Sequence, residues 1–218
     1  MIYICAYRDW GIEIYNRISC SFAKNNYNVT LINSVDVLEF YSQIFDENDT
    51  IFFLGWSWLV DDEIINKCNC ICLHPSPLPK YRGGSPIQNQ IINEEIISAV
   101  TFFRMNDKLD GGDILFQEEL LLDRDLDDIF NMIVKLGILG IRHILDNNPE
   151  GVKQNEGEAT FYSRITPDKS EITLDEIKNK PARYLHNKIR MLNDPYPNAY
   201  IKCKDGSKLY LTKSHYND

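Results

Sequence analysis

The chain has no apolar stretch near the ~20 residues that a membrane-spanning helix needs. Its start, Met1-Ile2-Tyr3-Ile4-Cys5-Ala6, carries no basic segment ahead of the apolar run. It reads as a first strand and not as a secretory leader, so the expectation is a cytoplasmic protein without a membrane partner. Positive charge is scarce as well: 23 Lys and Arg stand against 32 Asp and Glu, a net charge of −9. A broad nucleic-acid surface needs clustered cations, so nucleic acid is not an expected partner. Two phosphate-binding signatures are missing. The first strand–helix turn, Tyr7-Arg8-Asp9-Trp10-Gly11, lacks Gly-x-Gly-x-x-Gly, which argues against a conventional NAD site, and no Walker-type loop occurs. Internal repeats and low-complexity tracts are absent too.

Six cysteines are present, most of them in apolar runs where reduced, buried thiols are the default. The run Cys68-x-Cys70-x-Cys72-x-His74 suggests a metal site, but strand geometry opposes one. Residues two apart on a strand rise by roughly 6.6 Å, whereas tetrahedral zinc needs sulfurs within about 4 Å of each other. Packing is the better reading, and no metal is expected.

What the chain does have is a regular alternation of short apolar runs and helical patterns. It holds 218 residues, 44% apolar and 25% charged, enough for one ordinary core with a small appendage. Strands are expected at Ile2–Ala6, Val29–Ile32, Thr50–Leu54 and Cys70–Leu73. Helices are expected between them: one from Ile12 ending at Asn25-Asn26, one over Val35–Phe45, and a short one from Asp61-Asp62 to Lys67. This β-α-β-α-β-α-β order predicts an α/β fold with a Rossmann-like, doubly wound, mostly parallel sheet. Further strands are expected at Ile97–Met105 and Ile114–Leu122, with a helix starting at Pro86 before them and a long one over Asp125–Asp146 after them. The polar stretch Asn147–Gly157 marks a boundary. Residues 1–150 are read as an α/β catalytic domain and 151–218 as a small C-terminal extension. That extension comprises an extended piece at Thr160–Ile165, a helix in two parts broken at Lys180-Pro181, and a hairpin of Tyr200–Cys203 with Lys208–Leu211. The hairpin is a candidate surface for a homodimer.

The stretch from Cys70 to Gln90 draws the most attention. An apolar run ends on His74. Pro75, Pro77 and Pro79 stiffen the loop that follows, and Lys80-Tyr81-Arg82-Gly83-Gly84 leads into a helix. A parallel α/β sheet places its chemistry at the carboxyl ends of its strands. Reading the Leu109-Asp110-Gly111-Gly112 loop at the same sheet edge pairs a carboxylate with the histidine. From the residues alone this is a candidate acid/base pair, expected of a small-molecule transferase or hydrolase.

The run from His74 through Gln88 resembles the signature loop of the folate-dependent formyltransferases, and Leu109-Asp110-Gly111-Gly112-Asp113-Ile114-Leu115 resembles that family's second motif. Tyr162-Ser163-Arg164, Ile189-Arg190 and Pro195-Tyr196-Pro197-Asn198-Ala199 are similar to the segment that follows catalysis in the tRNA and sugar branches. The resemblance implies a formyltransferase fold with a C-terminal helix and hairpin, and 10-formyltetrahydrofolate as co-substrate. It implies His74 and Asp110 as catalytic groups, with Cys72 where the family has an asparagine. A thiol is a weak donor, and loss of one oxyanion donor typically costs ~10²–10³ in rate. Three readings stay open. A nearby amide or water (Gln88, Asn69 or Asn106) replaces it, His74 acts alone, or Cys72 is a nucleophile.

By the same resemblance, Trp56, Ser57 and Trp58 line the pterin, Asn106 to Asp110 form the opposite wall, and Ser76, Pro77, Leu78 and Pro79 lie over the cofactor. Arg82 and Arg8 are the expected anion contacts, with Asp9, Trp10 and Gln88 shaping the amine site. The tRNA enzymes of the family carry a further β-domain, and roughly fifty residues follow Ile165. With the acidic charge, this points to a small-molecule amine, a nucleotide-linked amino sugar for bacterial surface glycans. A carrier-bound amino acid, methionyl-tRNA, hydrolysis of the folate adduct and a non-catalytic binding module are the alternatives.

Overall fold

The computed structural model describes residues 1–23 and 28–217. The expected helix end at Asn25-Asn26 falls outside them. The first half alternates as its apolar pattern predicts: β1 (Ile2–Cys5), α1 (Asp9–Ala23), β2 (Val29–Ile32), α2 (Val35–Ser42), β3 (Thr50–Leu54), α3 (Asp62–Lys67) and β4 (Asn69–His74). Local chemistry starts two of the helices. The Ser34 hydroxyl accepts from the Val37 N–H ahead of α2, and the Asp61 carboxylate accepts from the Glu63 N–H ahead of α3. Then follow β5 (Arg82–Gly83), α4 (Pro86–Ile92), β6 (Ile97–Arg104), β7 (Ile114–Leu121) and α5 (Leu126–Asn147). The remainder holds β8 (Phe161–Tyr162), α6 (Leu174–Asn179), α7 (Ala182–Met191), β9 (Ala199–Lys202) and β10 (Lys208–Leu211).

The central sheet has six strands in the order β2-β1-β3-β4-β6-β7. β1 to β4 are parallel, while β6 is antiparallel to both β4 and β7. Strand alternation divides the core in two. Ile4, Phe52, Leu54, Ile71, Leu73 and Phe102 face α1 and α5, which bring Ile14, Ile18, Ile129, Ile133 and Ile141. Tyr3, Cys5, Ile51, Phe53 and Cys70 face the other way, toward Leu38 of α2 and Ile64 of α3. Cys72 sits in register between Phe53 and Phe103, on this second face. There a cleft opens above it.

The orientation of β6 corrects one expectation. The Met105 N–H donates to the Cys70 carbonyl, so the loop after β6 leaves beside the amino-terminal half of β4 and not beside His74. Its residues double back to bring Asp110 to the histidine. Gly112 permits that path, since a Cβ there would lie 1.6 Å from the Arg104 carbonyl oxygen.

The residues after α5 return to the sheet. Val152 and Ile114 exchange backbone hydrogen bonds of 2.8 Å. β8 pairs in parallel with β5, a two-residue ladder that no apolar pattern announces. β9 and β10 form the expected hairpin. Lys188 is buried and pairs with Glu176 at 2.7 Å while also donating to the Glu171 carbonyl.

Helix α5 meets β6 closely. A Cβ on Gly140 would stand 2.4 Å from the Phe102 ring and 2.9 Å from Phe116. Ala gains about 1 kcal/mol of helix propensity over Gly, but overpacking a closed core costs typically 1–3 kcal/mol. Gly140→Ala is therefore expected to lower stability by up to about 2 kcal/mol, read as a lower urea midpoint. A raised midpoint would mean that the two rings give way freely.

Candidate active site

His74 ends β4 and is buried, 6% exposed. Its Nε2 lies 2.8 Å from the Tyr81 carbonyl oxygen. A carbonyl can only accept, so Nε2 carries the proton and, in the neutral ring, Nδ1 carries the lone pair. Nδ1 faces Asp110 Oδ2 at 3.7 Å. The same oxygen accepts from the Gly83 N–H at 2.7 Å. Asp110 takes a left-handed backbone conformation, φ 48°, which turns its carboxylate back toward the histidine.

Tyr81 is itself held in place. Its ring stacks on Tyr162 at 4.6 Å, its hydroxyl donates to Glu95, and its N–H donates to the Thr160 hydroxyl. Gly83 and Gly84 let β8 pass against the loop. A Cβ on Gly83 (φ 99°) would meet the Tyr162 carbonyl at 2.4 Å.

The cleft has a volume of about 910 Å³, at the upper end for a drug-sized ligand. Cys72, His74 and Asp110 lie at its base. Trp56, Ser57 and Trp58 line it, as do Asn106, Arg8, Trp10 and Gln88. Trp56 packs edge-on against Phe53, Tyr7 and Trp58, and its buried Nε1 has no hydrogen-bond partner. Gln88 is 1% exposed, and neither of its amide atoms has a partner. The Tyr196 phenol lies beside it. Burial holds that phenol above its ordinary range, with the Gln88 amide and the Arg8 charge opposing. Arg8 stacks over the Tyr7 and Tyr196 rings at 5.1 and 5.6 Å. No carboxylate pairs with it among the described residues.

Several expected site residues are elsewhere. Arg82 is buried beside the cleft, not in it. Its Nε and Nη2 donate to Gln154 Oε1, and Nη1 pairs with Glu156 at 3.0 Å, which leaves it no open face for an anion. Ser76, Pro77, Leu78 and Pro79 do not line the cleft. Ser76 is fully buried and donates to the Lys80 carbonyl, while Ser76 and Leu78 offer their own carbonyls to Thr101 and Gln117. Asp9 is exposed on the first turn of α1, outside the cleft. Asn69 starts β4, bonded toward Thr50 and away from the cleft. Gln154 was not foreseen. It stands in a polar stretch that reads as a boundary, and nothing in the local sequence shows that it reaches Asp110.

A family model described as formyl transferase matches residues 39–133. Methionyl-tRNA formyltransferase of Rickettsia typhi is 33% identical over 193 residues, covering 86% of this chain and 58% of that protein. The chain thus spans between half and three-fifths of the curated relatives it first matches. The solved methionyl-tRNA formyltransferase from Clostridium thermocellum is 30% identical, with a TM-score of 0.82 over 96% of both chains. The chain belongs to the folate-dependent formyltransferase family. A 4-N formyltransferase from Francisella tularensis, 24% identical, shares the fold with a TM-score of 0.74 over 100% of this chain and 98% of that one.

Cys72 stands where the family resemblance implies an asparagine. Burial pushes its thiol well above the ordinary range, and the nearby Asp110 charge pushes it the same way. Among the described residues no cation offsets either effect, so the neutral thiol persists at pH 7 and a thiolate nucleophile is disfavoured. Cys20 and Cys203 are exposed. Iodoacetamide at pH 7 is expected to modify both of them and leave Cys72 untouched, as peptide mass mapping would show. Labelling of Cys72 ahead of either would restore the nucleophile.

Proposed function

We propose that this chain is an N-formyltransferase that takes its formyl group from 10-formyltetrahydrofolate. One observation carries the reading: His74 Nδ1 faces the Asp110 carboxylate at 3.7 Å at the base of a large cleft, with Nε2 held by a carbonyl. The residues fit such a co-substrate. The cleft offers aromatic walls and two buried donors without partners, Trp56 Nε1 and the Gln88 amide. The co-substrate supplies the electrophilic formyl carbon. The residues of the chain then divide the work. His74 Nδ1 has a lone pair for a proton of the attacking amine, and the charged ring that results faces Asp110. Asp110, fixed by the Gly83 N–H, orients and stabilises that ring. Gln88 supplies the amide donor toward the formyl oxygen that Cys72 cannot supply.

We take the acceptor to be a nucleotide-linked amino sugar of the kind built into bacterial surface glycans. Arg8, charged and without an acid partner on the cleft wall, suits a phosphate there. The net charge of −9 gives little support to a tRNA-binding surface. Methionyl-tRNA is the second reading, favoured by the 30% identity to the Clostridium enzyme over 96% of both chains. The hairpin remains the candidate surface for a homodimer, and residues 1–150 the catalytic part.

A panel of UDP- and dTDP-linked amino sugars and methionyl-tRNA, each incubated with 10-formyltetrahydrofolate and read by mass, separates these acceptors. Release of tetrahydrofolate with no formylated acceptor would replace transfer by hydrolysis. Absence of folate binding would leave a binding module of another kind. With the acceptor in hand, His74→Ala is expected to lose roughly 10²–10⁴-fold in kcat, and near-normal turnover would refute the mechanism. Cys72→Asn is expected to keep or raise the rate. Inactivity of Cys72→Asn and Cys72→Ser alike would overturn the view of the thiol as a bystander.

A further inference from the structure

Gln154 lies 44 residues from Asp110 in sequence, yet its Nε2 donates to the Asp110 carbonyl at 2.8 Å and to the Gly112 carbonyl at 2.7 Å. Its Oε1 accepts from Arg82 Nε at 3.1 Å and Nη2 at 2.8 Å. Both amide hydrogens and the amide oxygen are engaged, so the side chain has no spare capacity. Arg82 decides which way round the amide stands. A guanidinium can only donate, so the amide oxygen must face it and the NH₂ must face the loop. Arg82 is anchored in turn by Glu156 and lies over the Phe161 ring. The loop that Gln154 grips contains Asp110 at φ 48°, a conformation costly for a residue other than glycine unless its surroundings enforce it.

We propose that Gln154 is a positioning residue for Asp110, and that buried Arg82, paired with the exposed Glu156, orients Gln154 and takes no part in binding substrate. The inference rests on the reading of Asp110 as the group that serves His74. Gln154 touches only backbone on the loop and does not line the cleft. Its contribution is to clamp the two carbonyls that flank Gly111, which keeps the Asp110 carboxylate on the Gly83 N–H and in front of Nδ1. Without the clamp the loop gains alternative conformations, and a displacement of about 1 Å at a reacting group can cost roughly 10²-fold in rate.

The test is a double-mutant cycle, run on the full chain with the acceptor that the mass panel identifies. Gln154→Leu is expected to lower kcat by about 10²-fold and leave KM for 10-formyltetrahydrofolate nearly unchanged. In an Asp110→Ala background the same substitution is expected to cost no more than about twofold, the ordinary error of additivity. An equal loss in both backgrounds would mean that Gln154 acts on the fold at large and would overturn the inference, as would a Gln154→Leu enzyme with wild-type kcat. A wild-type rate in Asp110→Ala alone would instead remove the underlying reading of the site.

Gln154→Glu provides a second, acceptor-independent arm, because it keeps the volume and the oxygen facing Arg82 but loses the two donors. In that variant, amide hydrogen exchange at Gly83 is expected to rise at least about tenfold while the amides of β1 to β4 keep their protection. Unchanged protection at Gly83 would overturn the clamp even where activity cannot be measured.

Discussion

The hydrogen bond from the Gly83 N–H to Asp110 Oδ2, 2.7 Å long, joins two loops that the sheet alone would keep apart. One loop follows a parallel strand and the other follows an antiparallel one, so they do not leave the sheet at the same place. A backbone donor meeting a carboxylate is among the stronger neutral-to-charged contacts available, and here it decides where the charge stands relative to His74. The Asp110–Nδ1 gap of 3.7 Å is beyond hydrogen-bond distance. Attraction across it arises only once the ring is charged. The arrangement thus leaves the neutral ring's lone pair uncommitted, as the role proposed for His74 needs.

The elements of the first half were legible because each is a short apolar run or a helical stripe, and both periods are local properties. The break at Lys180-Pro181 and the hairpin after Tyr200 were legible for the same reason, since proline and Asp-Gly punctuate locally. Strand direction is different. Ile97 to Arg104 is apolar whichever way it runs, so its antiparallel pairing with β4 leaves no mark on the pattern. The two-residue β5–β8 ladder is too short to leave one. The glycines at 83 and 84 are its only trace, and they read equally well as a turn.

The same distinction explains the site. His74 and Asp110 were found through their loops and their resemblance to a family. Arg82 was misplaced because its residue type suggests an anion, whereas its partners lie 72 and 74 residues downstream. The proline loop was read correctly as stiff, but stiffness does not tell which side of a loop faces a cleft. Ser76 to Pro79 serve as the backing of His74 through Thr101 and Gln117.

Cys72 stands where the family resemblance implies an asparagine, and Gln88 lines the same cleft. Loss of an oxyanion donor ordinarily costs ~10²–10³ in rate, so the proposed transfer gains from a replacement donor. Gln88 is a buried amide with no close hydrogen bond, set beside the Tyr196 phenol, and a buried polar group left short of partners costs up to about 1–3 kcal/mol. A ligand oxygen arriving in reach of Gln88 recovers it, and the recovery is largest where the oxygen carries most negative charge. A donor left short of partners in the cleft would therefore favour the charge-separated state over the ground state, the role proposed above for Gln88 on α4.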